Sequence, residues 1–207
     1  MYTPSFNQIS DRSILLEAMR SYSFAILIGP FNGADNTAQH HATHLPLVVK
    51  DEGPHGVLEG HFAKANSQWQ SLANRETLVV FPGPHSYVSP SLYAEQLSVP
   101  TWNYIVVHSY GTLELIEDEA SKQELLVSLI QANEPAYFHQ WQSLPDGFRR
   151  TMLAGIVGFR IPIARIEGKF KLSQNRPEAD RRAVHDAQAS GTPDQQALAA
   201  WMQRLSI

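Results

Sequence analysis

The sequence contains no cysteine and few charged residues. Among its 207 residues there are 0 cysteines, which excludes disulfide frameworks, thiolate zinc sites, iron–sulfur clusters and cysteine nucleophiles. Asp, Glu, Lys and Arg together make up 17% of the chain, whereas a typical globular protein has about 25%. The small charged fraction indicates that part of the surface is buried in an interface.

Positive charge and long apolar runs are also scarce. The chain has 16 Lys and Arg against 20 Asp and Glu, a net charge of −4, which argues against a polybasic nucleic-acid binder. No apolar run approaches the roughly 20 residues that span a bilayer, and residues 1–6 lack the basic and apolar regions of a signal peptide. With 43% hydrophobic residues to build a core, we expect a soluble, cytoplasmic globular protein that does not bind membranes.

The common enzyme and metal-site signatures are missing. The sequence has no phosphate loop, dinucleotide fingerprint, nucleophile elbow or zinc-protease helix motif, which argues against the chemistry each one supports. His40, His41 and His44 form a tight group, but on a strand His41 and His44 would face opposite sides of the sheet. We therefore predict neither a metal ligand nor a catalytic residue.

Short apolar and β-branched segments dominate the first part of the chain, and helical patterns dominate the last part. Strands are predicted at 23–30, 43–50, 56–63, 77–81, 103–116 and 155–166. Helices are predicted at 10–21, 66–74, 119–133, 148–153, 177–188 and 193–205. Pro162 predicts an edge or bulged strand. Several short strands separated by turns indicate an antiparallel barrel or sandwich.

The first of three unusually polar stretches covers residues 60–69. A strand there ends at the start of the predicted helix, with Asn66 as its cap and with Lys64 and Ser67 alongside. Free backbone N–H groups and an ammonium suit an anion such as a phosphate. The alternative is an ordinary Asn cap beside an exposed lysine.

The second stretch, residues 81–90 followed by 100–104, combines prolines with aromatic side chains. We expect a rigid extended loop that presents His85, Tyr87, Trp102 and Tyr104 as the flat wall of a pocket for a planar ring. The alternative is a loop pinned to the barrel by its own aromatic residues.

The third stretch, residues 168–177, contains Lys, Ser, Gln, Asn and Arg just before a helix that starts with proline. This composition suits a phosphate or ribityl hydroxyls. The alternative is a solvated linker.

Several segments together resemble one protein family. They are THLPL, GHFAKANSQW, GPHSYVSPSLY, VPTWNY, VVHSYG and IEGKFKLSQNRPEADR. From Met1 to about Asp186 the chain resembles the PaiB-type, FMN-binding negative transcriptional regulators. The resemblance implies a mainly β fold with α, a split antiparallel β-barrel like that of pyridoxamine-phosphate oxidases, with peripheral and C-terminal helices. It also implies a barrel domain at 1–175, a helical extension at 176–207, and a homodimer that binds FMN at the subunit interface.

The resemblance further implies a set of FMN-binding residues. Those expected along the ring and phosphate are Thr43, His44, Leu45, His61, Lys64, Asn66, Ser67 and Trp69. Those expected from the second subunit or the far wall are Trp102, Asn103, Lys169, Ser173 and Gln174.

The regulatory role follows from the resemblance alone, because the sequence shows no helix-turn-helix motif. DNA contact would need a local basic patch, for which the candidates are Arg149, Arg150, Lys171, Arg176, Arg181 and Arg182. One alternative is a flavin-dependent oxidoreductase that uses reduced nicotinamide, with His61, His85 and Tyr87 as proton donors. Another is a split barrel that binds haem through His44 or His61.

Overall fold

The computed structural model describes residues 1–32 and 38–207. These residues pack into two units. The first unit comprises Met1–Leu15, Pro82–Val107 and Glu167–Ile207, and the second comprises Leu16–Phe81 and His108–Ile166. The predicted division at residue 175 stays a prediction.

The described chain contains runs of consecutive strands separated by single helices or groups of helices. The strands are β1 (Gln8–Ile9), β2 (Phe24–Asn32), β3 (Ala38–Pro46), β4 (Val48–Lys50), β5 (Val57–Ala63), β6 (Glu76–Val88), β7 (Thr101–Thr112), β8 (Glu114–Ile116) and β9 (Ile156–Lys171). The helices are α1 (Arg12–Ser21), α2 (Gln68–Leu72), α3 (Glu119–Asn133), α4 (Phe138–Ser143), α5 (Asp146–Ala154), α6 (Glu178–Ala189) and α7 (Pro193–Arg204). Short 3₁₀ turns cover Ser5–Asn7, Pro90–Leu92 and Pro135–Tyr137.

The nine strands of the described residues form one antiparallel sheet. Seven follow the order β3-β2-β6-β7-β9-β5-β4, while β1 and β8 each pair with β9. The predicted antiparallel, mainly β architecture with additional helices is confirmed. No helix in the described part of the chain is long and apolar enough to cross a membrane.

In the second unit, apolar side chains between the strands and α2 set the position of the loop that follows β5. Phe62 and Phe159 pack with ring centroids 5.0 Å apart. On β2, a Cβ built on Gly29 would lie only 2.3 Å from Cδ2 of Leu72 in α2. The helix therefore packs directly onto the strand backbone, at a distance that only glycine permits.

In the first unit, the C-terminal helices pack on the end of β9. Phe170 and Trp201 meet edge to face, with centroids 5.2 Å apart, a geometry that aromatic pairs favour. The buried carboxylate of Asp180 in α6 accepts a hydrogen bond of 3.0 Å from the backbone N–H of Ala94. This bond holds the segment after the Pro90–Leu92 turn to α6.

The proline-rich loop predicted at 81–90 is wrong, because β6 continues through it to Val88. The register with β2 ends at Val80 among the described residues, so a proline beyond Val80 removes no hydrogen bond from that ladder by lacking an N–H. A Cβ on Gly83 would lie 2.9 Å from the carbonyl oxygen of Ile105, so this strand runs very close to β7.

Two further predictions are wrong in detail. Pro162 does not place β9 at an edge, since β9 lies between β7 and β5; Pro162 pairs with Val57, where the ladder with β5 ends. The alternative of a bulged strand stays a prediction. The helix predicted at 66–74 is only α2, five residues long. It is shortened because the side chain of Asn66 accepts a hydrogen bond of 3.1 Å from the N–H of Gln68, forming a turn before the helix begins.

Candidate functional site

Three polar side chains in the second unit join β3 to the start of α2. Asn66 donates a hydrogen bond of 3.1 Å from Nδ2 to the hydroxyl of Thr43, and that hydroxyl donates to Oε1 of Gln68. Gln68 donates from Nε2 to the carbonyl oxygen of His41 at 2.9 Å. Gln68 is almost completely buried, so these bonds satisfy an amide that would otherwise be costly. They fix the loop at 64–67 against the strand.

Lys64 and Ser67 lie on this loop with their side chains exposed. The backbone N–H of Lys64 donates to the carbonyl of Gly155 at 2.8 Å, and the indole N–H of Trp69 donates to the carbonyl of Lys64 at 3.3 Å. The backbone is therefore held, and within the described residues no carboxylate pairs with the Lys64 ammonium. The predicted neighbours Lys64, Ser67 and Trp69 are thus brought together.

The predicted FMN-binding residues on β3 and β5 are partly half-buried and partly exposed. Thr43 and Leu45 are half-buried, while His44 between them is exposed and stacks on Phe24 with centroids 6.1 Å apart. This alternation follows the two-residue period of a strand. His61 is half-buried, and its Nδ1 atom is buried without a hydrogen-bond partner.

Burial also sets the charge of His61. Removal from water lowers the pKa of its imidazole below the ordinary value of 6.5, because the charged form loses solvation. At neutral pH His61 is therefore a neutral ring with one unused nitrogen. In the described part of the chain, no three His, Asp or Glu side chains come close enough to share a metal ion.

The first unit carries an exposed aromatic cluster on β6 and β7. The ring of Trp102 lies 6.0 Å from that of His85 and 6.1 Å from that of Tyr87, the latter at an interplanar angle of 78°. Trp102 is 52% exposed and Tyr87 50%. These rings were predicted on a loop; they lie instead on two strands, which hold them more rigidly.

The third predicted stretch lies at the end of β9 and in the turn that follows. Lys169 donates from Nζ to the carbonyl of Tyr2 at 3.1 Å and lies 5.4 Å from the ring centroid of Tyr104. Gln174 bonds back to its own turn: Oε1 accepts from the N–H of Leu172 at 2.7 Å, and Nε2 donates to the carbonyl of Phe170. Gln174 therefore shapes the turn with both ends of its amide.

Asn103 and Ser173 lie together and are both buried. The hydroxyl of Ser173, a residue with a φ of 64°, donates to Oδ1 of Asn103 at 3.1 Å. Lys171 and Tyr93 were not predicted as site residues, although both line a pocket together with this pair. For Lys171 a signal existed, since Lys169 and Lys171 are two residues apart on one strand and share a face.

Residues 1–165 match the family described as "Putative FMN-binding domain". The Bacillus subtilis protein "Protease synthase and sporulation protein PAI 2" is 32% identical over 209 residues, which cover 98% of this chain and 97% of the relative. An uncharacterised Emericella nidulans protein is 32% identical over 184 residues, which cover 69% of this chain and 72% of the relative.

Solved structures show the same fold. The flavocytochrome Anf3 from Azotobacter vinelandii matches with a TM-score of 0.61 at 16% identity, covering 86% of this chain and 75% of its own. The "FAD and Heme binding protein" from Mycobacterium smegmatis matches with a TM-score of 0.58 at 16% identity, covering 90% and 81%. At such identities the likeness concerns the fold alone, and the split-barrel class predicted from the resemblance is confirmed. Since the family match and the Bacillus relative both span most of the sequence, the chain belongs to the family of the putative FMN-binding domain, together with PAI 2.

Proposed function

We propose that this chain binds FMN at the interface of a homodimer and acts as a cytoplasmic negative transcriptional regulator. Family membership supports the flavin. The observation that carries the proposal is the loop at 64–67, where Thr43, Asn66 and Gln68 hold the backbone and leave Lys64 and Ser67 free. A fixed loop with a free ammonium and a free hydroxyl suits a phosphate.

The donor set fits the chemistry of FMN. Lys64 and Ser67 would hold the phosphate, and the unused Nδ1 of His61 would meet a polar atom of the ligand. Exposed rings such as Trp102 offer a planar apolar surface of the kind that flat rings stack upon. When bound, FMN would supply the redox-active ring, and the chain would orient it and exclude water.

The hydrogen bonds divide the predicted residues into two roles. Thr43 and Asn66 use their polar atoms on each other and on Gln68, so they position the loop. Gln174 uses its amide within its own turn in the same way. Lys64, Ser67 and His61 keep free polar atoms and are the residues we propose to contact the ligand.

The test is the affinity of Lys64→Ala for FMN and for riboflavin, measured by quenching of flavin fluorescence. Loss of a charge-assisted hydrogen bond costs about 1.5–3 kcal/mol, so we expect FMN to bind about 10- to 150-fold more weakly. Riboflavin, which has no phosphate, should be unaffected. The matched control is Arg75→Ala, which removes another exposed cation of the same unit. Equal weakening of both ligands would place the phosphate elsewhere.

Direct DNA binding would have to overcome the net negative charge of the protein. A homodimer would carry 2 × (−4) = −8 charges, and two of the six candidate basic residues are neutralised: Arg149 pairs with Asp146, and Arg182 with Glu178 at 2.9 Å. We expect any binding to the protein's own promoter DNA to weaken steeply between about 50 and 200 mM salt. Fluorescence anisotropy at both salt concentrations measures it. No binding at the lower concentration would contradict direct contact.

The environment of His61 supports a second candidate function, that of a flavin-dependent oxidoreductase that uses reduced nicotinamide. A buried neutral imidazole with an unused nitrogen can exchange a proton with a bound ligand. Anaerobic mixing of the FMN-loaded protein with reduced nicotinamide separates the two functions. Bleaching of the yellow spectrum would support the oxidoreductase, whereas a persistent yellow spectrum would support the regulator.

A further inference from the structure

A small pocket in the first unit is lined by several side chains that carry hydrogen-bond donors. Its volume is about 200 Å³. Three segments line it: the chain around Tyr93, the start of β7 and the turn after β9. The lining residues are Tyr93, Val99, Pro100, Thr101, Asn103, Lys171, Ser173, Asn175 and Arg176.

Two buried polar groups of the lining residues have no partner among the residues that the structure describes. Asn103 is fully buried, and while its Oδ1 accepts from Ser173, its Nδ2 donates to nothing. Tyr93 is 8% exposed, and its hydroxyl is also unpaired. Buried donors are almost always satisfied in folded proteins, by protein, water or ligand. These two unpaired groups in one pocket are available to a bound molecule with acceptor atoms.

The charge of the pocket defines that ligand further. Lys171 donates from Nζ to the carbonyl of Trp102 at 2.7 Å and to the hydroxyl of Thr101, which leaves the third N–H of its ammonium unused. The guanidinium of Arg176 lies 3.9 Å from the ring centroid of Tyr93. None of the described residues that line the pocket is Asp or Glu.

The positive charges near the pocket also destabilise the charged form of Lys171. Burial first, and then repulsion by Lys169 and Arg176, lower the pKa of Lys171 below its ordinary value of 10.5. A bound negative charge would oppose this effect. An acceptor with negative charge would satisfy the donors and offset the repulsion between the cations.

We infer that this pocket binds an oxyanion, the phosphate or carboxylate group of a ligand, through Asn103, Tyr93, Lys171 and Arg176. A volume of about 200 Å³ accommodates a group of that size, whereas whole ligands of drug size occupy about 300–1,000 Å³. The inference does not depend on flavin binding, because it rests on the unpaired donors and the charge alone.

The test is calorimetric titration of the whole protein with inorganic phosphate. Tyr93→Phe removes only the unpaired hydroxyl and keeps the ring beneath Arg176, so the fold should be preserved. We expect Tyr93→Phe and Arg176→Gln each to weaken phosphate binding about tenfold or more. The matched control Arg182→Gln removes one exposed positive charge outside the pocket and should bind phosphate as the wild type does.

Two results would overturn the inference: no phosphate binding by the wild type, or unchanged affinity in both pocket variants. Repeating the titration in Lys64→Ala separates this pocket from the loop at 64–67. FMN and riboflavin titrations of the pocket variants then identify the source of the anion. Weaker FMN binding with unchanged riboflavin binding would mean that the pocket takes the FMN phosphate. Unchanged binding of both flavins would mean that it takes a second ligand.

Discussion

At the scale of single residues, the candidate site is distinguished by which polar atoms remain unused. Gln68 is nearly fully buried, yet both ends of its amide are hydrogen-bonded, so it stabilises the fold and offers nothing to a ligand. His61 differs, since its buried Nδ1 has no partner. A buried polar group without a partner lowers stability. The Nδ1 atom of His61 is such a group, and it lies next to the loop at 64–67, which we propose holds the phosphate.

The lowered pKa of His61 has a consequence for stability. The folded protein favours the neutral imidazole, so below pH 6.5 the unfolded chain takes up a proton that the native protein resists. The free energy of unfolding should therefore fall as the pH drops through 6.5 towards the lowered pKa. We expect His61→Leu to lose less stability than the wild type between pH 8 and pH 5.5, as measured by urea unfolding of the flavin-free protein.

His139→Leu serves as the control for that measurement, because His139 is solvent-exposed on α4. It should retain the wild-type dependence on pH. If His61→Leu and the wild type lost equal stability on acidification, burial of His61 would not be the cause of the acid sensitivity.

At the scale of elements, the loop at 64–67 depends on how α2 packs against β2. The contact is made by the backbone of Gly29 and the side chain of Leu72. Because α2 has only five residues, it is too short to be stable by itself. Its position, and with it that of the loop, comes from this contact and from the hydrogen bonds of Gln68.

Gly29→Ala should destabilise the protein by about 1–3 kcal/mol through overpacking, since the new Cβ would lie 2.3 Å from Leu72. Leu72→Ala should cost about 2–5 kcal/mol through its cavity. The double variant should cost less than the sum by at least about 0.5 kcal/mol, because the smaller side chain relieves the clash. Urea unfolding of all three variants measures the coupling.

Gly147→Ala is the matched control, because no atom lies within 4 Å of a Cβ at that position in α5. It should be neutral, or stabilising by up to about 1 kcal/mol. Strict additivity of Gly29→Ala and Leu72→Ala would show that the contact does not position α2.

At the scale of the whole molecule, local patterns were predictable from the sequence and long-range contacts were not. Helix α3 lies at Glu119–Asn133 as predicted, since its Asp118 cap and the buried Leu125 and Leu129, one turn apart, are all local signals. Pro82 and Pro84 were placed on a loop because their local preference is for turns, but the long pairing of β6 overrides it.

The site shows the same division between local and distant signals. Lys64 and Ser67 could be proposed from neighbouring residues in a motif. The pocket of Tyr93, Asn103 and Arg176 joins three segments that are far apart in sequence, and no periodicity indicates that they meet. Buried atoms without a hydrogen-bond partner can be identified only in the folded chain. The unpaired hydroxyl of Tyr93 therefore could not be predicted from the sequence.

The proposed homodimer leads to a prediction about Trp102. The chain has few charged residues, and Trp102 is 52% exposed next to Tyr87; partly exposed aromatic residues are typical anchors of protein interfaces. Sedimentation should give a mass of about twice 23.2 kDa. Truncating an aromatic anchor typically costs about 2 kcal/mol or more, so Trp102→Ser should raise the dimer dissociation constant at least about 30-fold.

The control is Phe148→Ser, an aromatic residue with a similar exposure of 49% that lies on α5 in the second unit. If loss of exposed apolar surface alone weakened the dimer, both variants would weaken it equally. If the interface contains the aromatic cluster, only Trp102→Ser should weaken it. A monomeric wild type at micromolar concentration would remove the proposed interface, and FMN would then have to bind within a single chain. Measuring FMN affinity of Trp102→Ser below and above its dimer dissociation constant tests the link directly, because a ligand held by two subunits binds more tightly as the dimer forms.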